Sequence, residues 1–530
     1  MSTALAAVLF VLPNVALSQD GPVDLSPPLR LDPPAQPSVQ PARSLPGGAR
    51  PAMPLIEPAA VGERDVRTNS IMGGVVQTEA VGVLNPDLAG ALSEAQGGFG
   101  NAMWRETQLG VIENLLPQIP VTTASPAMRD LMRRLLLTGA VVPQGTKRGS
   151  LISLRAGLLS AMGDFVGVNS LLSAVPGRTK YQDLLRVEVD TRFLTGDVAR
   201  ACQLANAYIQ EQQSTYWQKA FIFCQALEGD TDSAMLGMSL LEEQGVDDPV
   251  FFQLVEAVVE LEAGAKPPVI DSLSDPTPLH LALARVAKVN LPNDVISSNR
   301  PGVLRAIAIS PNAPPELRLE AAERAEFAGA LQVDTLRQLY ASITFSDDQL
   351  KNPLSQSTML SGPMSRALLY RATLMQTVPA AQAEALMRAL EMARRGGRYA
   401  STARAFLPQL GRVSVSPDLA WFAPEAIRAF LISGRAQGAA PWFNLLKGSA
   451  LLDAKMAREL DSLMPVARLS GFEGASEWTM DQLSDWWASV KDTDGARDKA
   501  VALAATFEAL GEYVPDKIGL IWWRAPRTPR

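Results

Sequence analysis

Three stretches of eleven residues decide the fold: LLSAMGDFVGV at 158–168, TRFLTGDVARA at 191–201 and CQALEGDTDSA at 224–234. Each contains a Gly-Asp pair, and the pairs Gly163-Asp164, Gly196-Asp197 and Gly229-Asp230 follow one another at intervals of 33 residues. Glycine adopts the left-handed conformation that ends a helix, and aspartate can cap the free amides of the next helix. Because an apolar segment precedes and follows each pair, the stretches predict antiparallel helices joined at Gly-Asp turns.

The Gly-Asp-x-x-x-Ala stretch resembles the tetratricopeptide repeat, a helix–turn–helix unit that recurs at about 34 residues. The small residue is Ala201 in the second unit and Ala234 in the third, whereas Val168 takes its place in the first. The resemblance covers residues 150–245 and lacks the family's aromatic, Gly and Tyr pattern in the first helix. It implies an all-α solenoid of stacked antiparallel helix pairs, with a groove that binds peptides or protein segments.

Outside these units, apolar residues still recur three and four positions apart, and prolines interrupt them repeatedly. This spacing predicts short helices nearly to the end of the chain. We expect five regions: a signal peptide at 1–18, a proline-rich tether at 19–68, a short extended or hairpin segment at 69–85, a helical-repeat solenoid at 86–475, and a tryptophan-rich helical cap with a tail at 476–530.

The N-terminal region predicts export. An apolar run from Ala4 to Leu12 is followed by small residues that end at Ser18, which is typical of a secretory signal cleaved after that serine. No Lys or Arg precedes the run, which departs from the usual pattern. Between Gln19 and Ala60 there are eleven prolines, and they favour an extended spacer or a docking peptide over helix or sheet. We therefore expect a bacterial periplasmic protein.

The two cysteines, Cys202 and Cys224, lie early in one predicted helix and late in the next. The turn between these helices falls almost midway. In an antiparallel helix pair, residues equally distant from the turn lie side by side, so we expect the two sulfurs to meet. In an exported protein they would form a disulfide, and two buried thiols are the alternative.

The composition argues against several kinds of chemistry. The chain has 48 basic and 55 acidic residues without basic clusters, so nucleic acid is not an expected partner. His280 is the only histidine, and we interpret it as an ordinary first-turn helix residue. The acidic residues Glu256, Glu260 and Glu262 have the spacing of a solvated helix face. We predict no catalytic, metal or cofactor site.

Seven of the nine tryptophans follow residue 420. Those that we consider for partner binding are Trp486, Trp487, Trp522 and Trp523. Two adjacent tryptophans cannot both face one helical stripe, so at least one of Trp486 and Trp487 should point away from the main core. The alternative is a terminal unit that seals the last repeat.

These features lead to three hypotheses about function. The first is an exported, non-catalytic scaffold or adaptor that binds proteins of the cell envelope in its helical-repeat groove. The second is a protein that binds or cleaves cell-wall glycan and has a superhelical body. The third is a structural spacer in the periplasm. After signal removal, none of them requires a segment that spans the membrane.

Overall fold

The computed structural model describes residues 85–143, 145–211, 214–262 and 264–514. The predicted signal peptide, tether and extended segment therefore lie outside the described residues, apart from Asn85. All described residues belong to one structural unit, which extends from Glu79 to Arg530.

The described residues form α-helices and short 3-10 turns, with no β-strand and one isolated bridge between Leu92 and Thr138. The helices up to residue 262 are α1 (Leu109–Leu115), α2 (Pro126–Leu137), α3 (Ser150–Met162), α4 (Phe165–Ser173), α5 (Gln182–Thr195), α6 (Val198–Tyr208), α7 (Thr215–Leu227), α8 (Thr231–Glu243) and α9 (Pro249–Glu262).

The remaining helices continue the array to residue 509. They are α10 (Pro278–Val286), α11 (Pro301–Ala308), α12 (Pro315–Phe327), α13 (Val333–Ser342), α14 (Asp347–Lys351), α15 (Pro353–Gln356), α16 (Gly362–Met375), α17 (Pro379–Arg395), α18 (Tyr399–Leu410), α19 (Ala423–Ile432), α20 (Ala436–Ala450), α21 (Ala454–Leu469), α22 (Leu483–Val490) and α23 (Ala496–Ala509).

The fold is an all-α solenoid of stacked antiparallel helix pairs, which confirms the predicted class. The pairs α3/α4, α5/α6 and α7/α8 meet at the three Gly-Asp turns. Gly163, Gly196 and Gly229 all have φ near +80°, a conformation that glycine adopts without a steric cost. In each turn the aspartate amide donates to the carbonyl five residues earlier; the acceptors are Leu159, Arg192 and Gln225.

The aspartate side chains differ between the turns. Asp164 accepts a hydrogen bond from the amide of Gly167 at 2.9 Å, and Asp230 accepts one from the amide of Ser233 at 3.3 Å. Asp197 makes no such cap, because its carboxylate pairs with Arg192 of the preceding helix at 3.2 Å. All three turns therefore share the same backbone hydrogen bond, and in two of them the aspartate side chain also caps the following helix.

Cys202 of α6 and Cys224 of α7 form the expected disulfide, with their Cα atoms 5.4 Å apart. Both residues are buried. The bond joins the second helix of one pair to the first helix of the next, and closing a loop of this size contributes about 3 kcal/mol in the chain-entropy model.

Helices α10 and α11 turn back across the array. Helix α10 packs against α5, α7 and α9, while α11 packs against α3 and α5. These partners are the first helices of the successive pairs, and we call the surface that they form the first-helix face. The contact is closest at Gly302 of α11, where an added Cβ would lie 2.3 Å from the carbonyl oxygen of Ser160 in α3.

From α12 onward, successive helices again pack against one another as far as α22. One apolar core runs from Phe165 to Ala475. It encloses an ion pair between Glu323 and Arg366, and the hydroxyl of Tyr340 donates to the same glutamate at 2.7 Å. A separate cluster around Trp478, Trp486 and Phe507 closes the C-terminal end of the described chain.

Among the described residues, none of the helices combines the length and the apolar character that crossing a bilayer requires.

Candidate functional site

A cavity of about 390 Å³ opens on the first-helix face. Helices α3, α5 and α7 form one wall, and α10 and α11 form the other. Apolar side chains such as Val187 and Leu279 line part of it. Its polar groups are Arg186, Asp190, Tyr216, Lys219, Asp248, His280 and Arg300. We call it the first-helix cavity.

Asp248 is the centre of one polar group in this cavity. Its Oδ2 accepts from the Nζ of Lys219 at 2.6 Å and lies 3.1 Å from the Nε2 of His280. Its Oδ1 accepts from the amide of Phe251 at 3.1 Å, which makes Asp248 the cap of α9. Burial alone would raise the pKa of Asp248, but the bonds from His280, Lys219 and Phe251 outweigh it and hold the pKa well below its usual range.

His280 is the third residue of α10 and part of a capping box with Thr277. The amide of Thr277 lies 3.5 Å from Nδ1 of His280, which accepts from it, so Nε2 carries the proton that it donates to Asp248. Both ring nitrogens therefore have partners within the chain. The imidazole thus connects the first turn of α10 to the start of α9. In this arrangement neither ring nitrogen is free for proton transfer to a ligand.

Asp190 of α5 is the centre of the second polar group. It accepts from the hydroxyl of Tyr216 at 2.8 Å, and Arg186 approaches it at 3.9 Å. The guanidinium of Arg186 also lies over the ring of Tyr216, 4.3 Å from its centroid. Burial raises the pKa of Asp190 to about 6, although the Tyr216 bond, Arg186 and Arg300 all oppose it.

Arg300 closes the edge of the cavity next to α11. It donates to Asp275 at 3.1 Å and to the carbonyl of Pro276 at 3.0 Å. The lining thus contains the cations Arg186, Lys219 and Arg300 and the acids Asp190 and Asp248. The cavity presents hydrogen-bonding groups of both kinds and an excess of one positive charge when both acids are ionised.

Lys219, Asp248 and His280 are thus hydrogen-bonded to one another within the cavity. In the part of the chain that the structure describes, no three His, Cys, Asp or Glu side chains are placed to hold a metal ion.

The other residues considered from the sequence lie elsewhere. Trp486 is buried and donates from Nε1 to the carbonyl of Ser462 at 3.3 Å, while Trp487 is half-buried against the same C-terminal cluster. Trp522 and Trp523 lie outside the described residues. Glu256 and Glu260 are exposed on α9. The three Gly-Asp turns lie at helix ends and not in the first-helix cavity.

Sequence reasoning did not find Asp190, Tyr216, Lys219 or Asp248. One signal was present, since Asp248 directly precedes Pro249 and this order is typical of a helix start. A second was the charged Asp190, which directly follows the apolar Val189 in this helix. Neither signal shows that α7, α9 and α10 bring these side chains together.

Comparison of the chain with family models, with curated proteins and with solved structures finds no match.

The raised pKa of Asp190 predicts a pH dependence of stability. Its folded value of about 6 exceeds the ordinary 3.8, so its protonated form favours the folded state, and that contribution is lost as pH rises from 3.8 through 6. Between about pH 4.5 and about pH 7.5, we expect the melting temperature to fall more in wild type than in Asp190→Asn. The control is Asp183→Asn, an exposed acid on the same helix. Equal pH dependence in wild type and Asp190→Asn would contradict this assignment.

Proposed function

We propose that the protein is an exported, non-catalytic scaffold or adaptor of the bacterial cell envelope, and that it binds a segment of a partner protein in the first-helix cavity. The observation that carries this proposal is the convergence of five helices on one cavity with charged, hydrogen-bonding and apolar groups. A volume of about 390 Å³ is in the range of ligand sites and admits a few side chains or a chain end.

Because α10 and α11 return across the first-helix face, they restrict the kind of partner segment that could bind there. In an open array the first-helix face would be free along its length, but here two helices of the same chain cover part of it. The partner segment in this proposal is therefore short and carries polar groups, which would meet the exposed Arg186 and the partly exposed Asp190 and Arg300.

The relation to tetratricopeptide repeats is also part of the proposal. It rests on the interval of 33 residues, on the shared backbone hydrogen bond in the three turns and on the buried Ala201 and Ala234 that follow two of them. These features favour a degenerate member of that class in the region of α3 to α8.

Export is supported by the Cys202–Cys224 disulfide, because such bonds persist in oxidising compartments and are rare in the cytosol. The apolar run from Ala4 to Leu12, with the small residues that follow it up to Ser18, also favours export.

Filling the cavity should abolish partner binding. Gly157 of α3 lines the cavity, and a Cβ added there would meet only the side chain of Val187, at an ordinary 3.8 Å, so we use Gly157→Phe to introduce a large side chain at this position. In pull-downs of the full chain from envelope extract, we expect this variant to bind the partner at least about tenfold more weakly. The control is Gly448→Phe in α20, where an added Cβ meets no atom within 4 Å.

Photo-crosslinking identifies which captured protein occupies the site. A crosslinking residue in place of Arg186, at the exposed edge of the cavity, should trap the same polypeptide that Gly157→Phe loses. A crosslinking residue in place of Leu236, exposed on α8, is the control. Retention of that polypeptide by Gly157→Phe, or equal trapping at both positions, would contradict the proposed binding site.

Export has its own test on protein isolated from its host. Alkylation without reduction should label neither Cys202 nor Cys224, whereas alkylation after reduction should label both. N-terminal sequencing should begin at Gln19. Two labelled thiols before reduction, with an N terminus at Met1, would show that the chain is not exported.

A further inference from the structure

A second cavity lies where the α3–α4 turn meets α11 and the link between α12 and α13. Its volume is about 340 Å³. Its floor is built from close backbone contacts: a Cβ added at Gly163 would lie 2.6 Å from the Cβ of Ala330 and 3.3 Å from the Cα of Gly302. Three segments far apart in sequence therefore form one wall, and we call this space the arginine cavity.

Three arginines line it: Arg129, Arg133 and Arg305. Arg129 donates from Nη1 to the carbonyls of Thr123 at 2.8 Å and of Phe327 at 3.2 Å. Arg133 donates from Nε to Asp164 at 2.8 Å. These contacts occupy one nitrogen of each guanidinium and hold the side chain in place.

Arg305 of α11 differs from the other two. It is half-buried, and its guanidinium lies over the ring of Phe165, 4.9 Å from the centroid. It makes no hydrogen bond or ion pair with the residues that the structure describes. Burial lowers the pKa of Arg305 below its ordinary value, and no neighbouring acid offsets this shift. An anion that binds in the cavity would therefore give this partly desolvated guanidinium a counter-ion.

The acids of the cavity do not supply that counter-ion. Asp164 is shared between Arg133 and the amide of Gly167. Asp130 is largely exposed and lies 3.9 Å from Arg134, its partner on the same helix. The cavity thus contains three guanidinium groups and two carboxylates, one of which is already paired within it.

We propose that the arginine cavity binds an oxyanion, the phosphate or carboxylate group of a small molecule, with Arg305 as its main ligand and Arg129 and Arg133 at its sides. A planar guanidinium donates two parallel hydrogen bonds to such a group, which suits phosphate and carboxylate equally. The volume exceeds that of one phosphate ion, so the cavity also has room for the organic part of the ligand. This site is separate from the first-helix cavity and does not depend on the proposed function.

Titration calorimetry of the full chain tests the proposal, with inorganic phosphate and acetate as probes at constant ionic strength. We expect one site per chain for at least one probe. Arg305→Gln should weaken its binding by about tenfold or more, since glutamine cannot supply the charge-assisted hydrogen bonds of a guanidinium. Tighter binding of phosphate would indicate that the natural ligand carries a phosphate group, and tighter binding of acetate would indicate that it carries a carboxylate. No binding of either probe would overturn the proposal.

Arg285→Gln is the matched control. Arg285 is also half-buried, burial alone lowers its pKa, and it lies outside the arginine cavity. This variant should bind the probe as wild type does. Without the probe, the melting temperature of Arg305→Gln shows whether this variant folds. If Arg305→Gln does not fold, Arg305→Lys keeps the charge and should show a smaller loss. Unchanged affinity in a folded Arg305 variant would overturn the proposal.

Discussion

A pair of short helices cannot cover its own apolar surface, and the structure depends on how that surface is covered. Each pair is covered on its sides by the neighbouring pairs, as expected of a solenoid. The first-helix face of α3 to α9 is covered a second time, because α10 and α11 return across it. The close approach of Gly302 to Ser160 shows how tightly this second layer fits. The main apolar core extends from Phe165 to Ala475, while the buried apolar side chains of α3 belong to a separate cluster between Ile112 and Leu184.

This second layer also accounts for both cavities. The first-helix cavity is the space that α10 and α11 leave between themselves and α3, α5 and α7. The arginine cavity lies at the corner where α11 meets the first Gly-Asp turn. Polar groups that would face open solvent in a simple array are thereby partly desolvated. This explains why Asp190 has a raised pKa and why the half-buried Arg305 has a lowered one.

The features that the sequence predicted are local ones. Glycine and aspartate determine the geometry of a turn within a few residues, so three Gly-Asp pairs at equal intervals were enough to predict paired helices. The disulfide followed from the same reasoning, because Cys202 and Cys224 are equally distant from one turn. The return of α10 and α11 could not be predicted, since helix periodicity does not show which distant helices meet. For the same reason His280 was recognised as a first-turn residue, whereas its bond to Asp248, 32 positions away, was not.

The measurement that tests this account most directly is hydrogen exchange of Gly302→Ala in the full chain. The added Cβ would clash with the Ser160 carbonyl, so the variant should loosen α11 from α3. The account predicts faster exchange in α3 and α5 as well as in α11, although more than 100 residues separate them in sequence, and unchanged exchange in α19 to α21. Faster exchange confined to α11 and α12 would show that α11 does not cover the first-helix face.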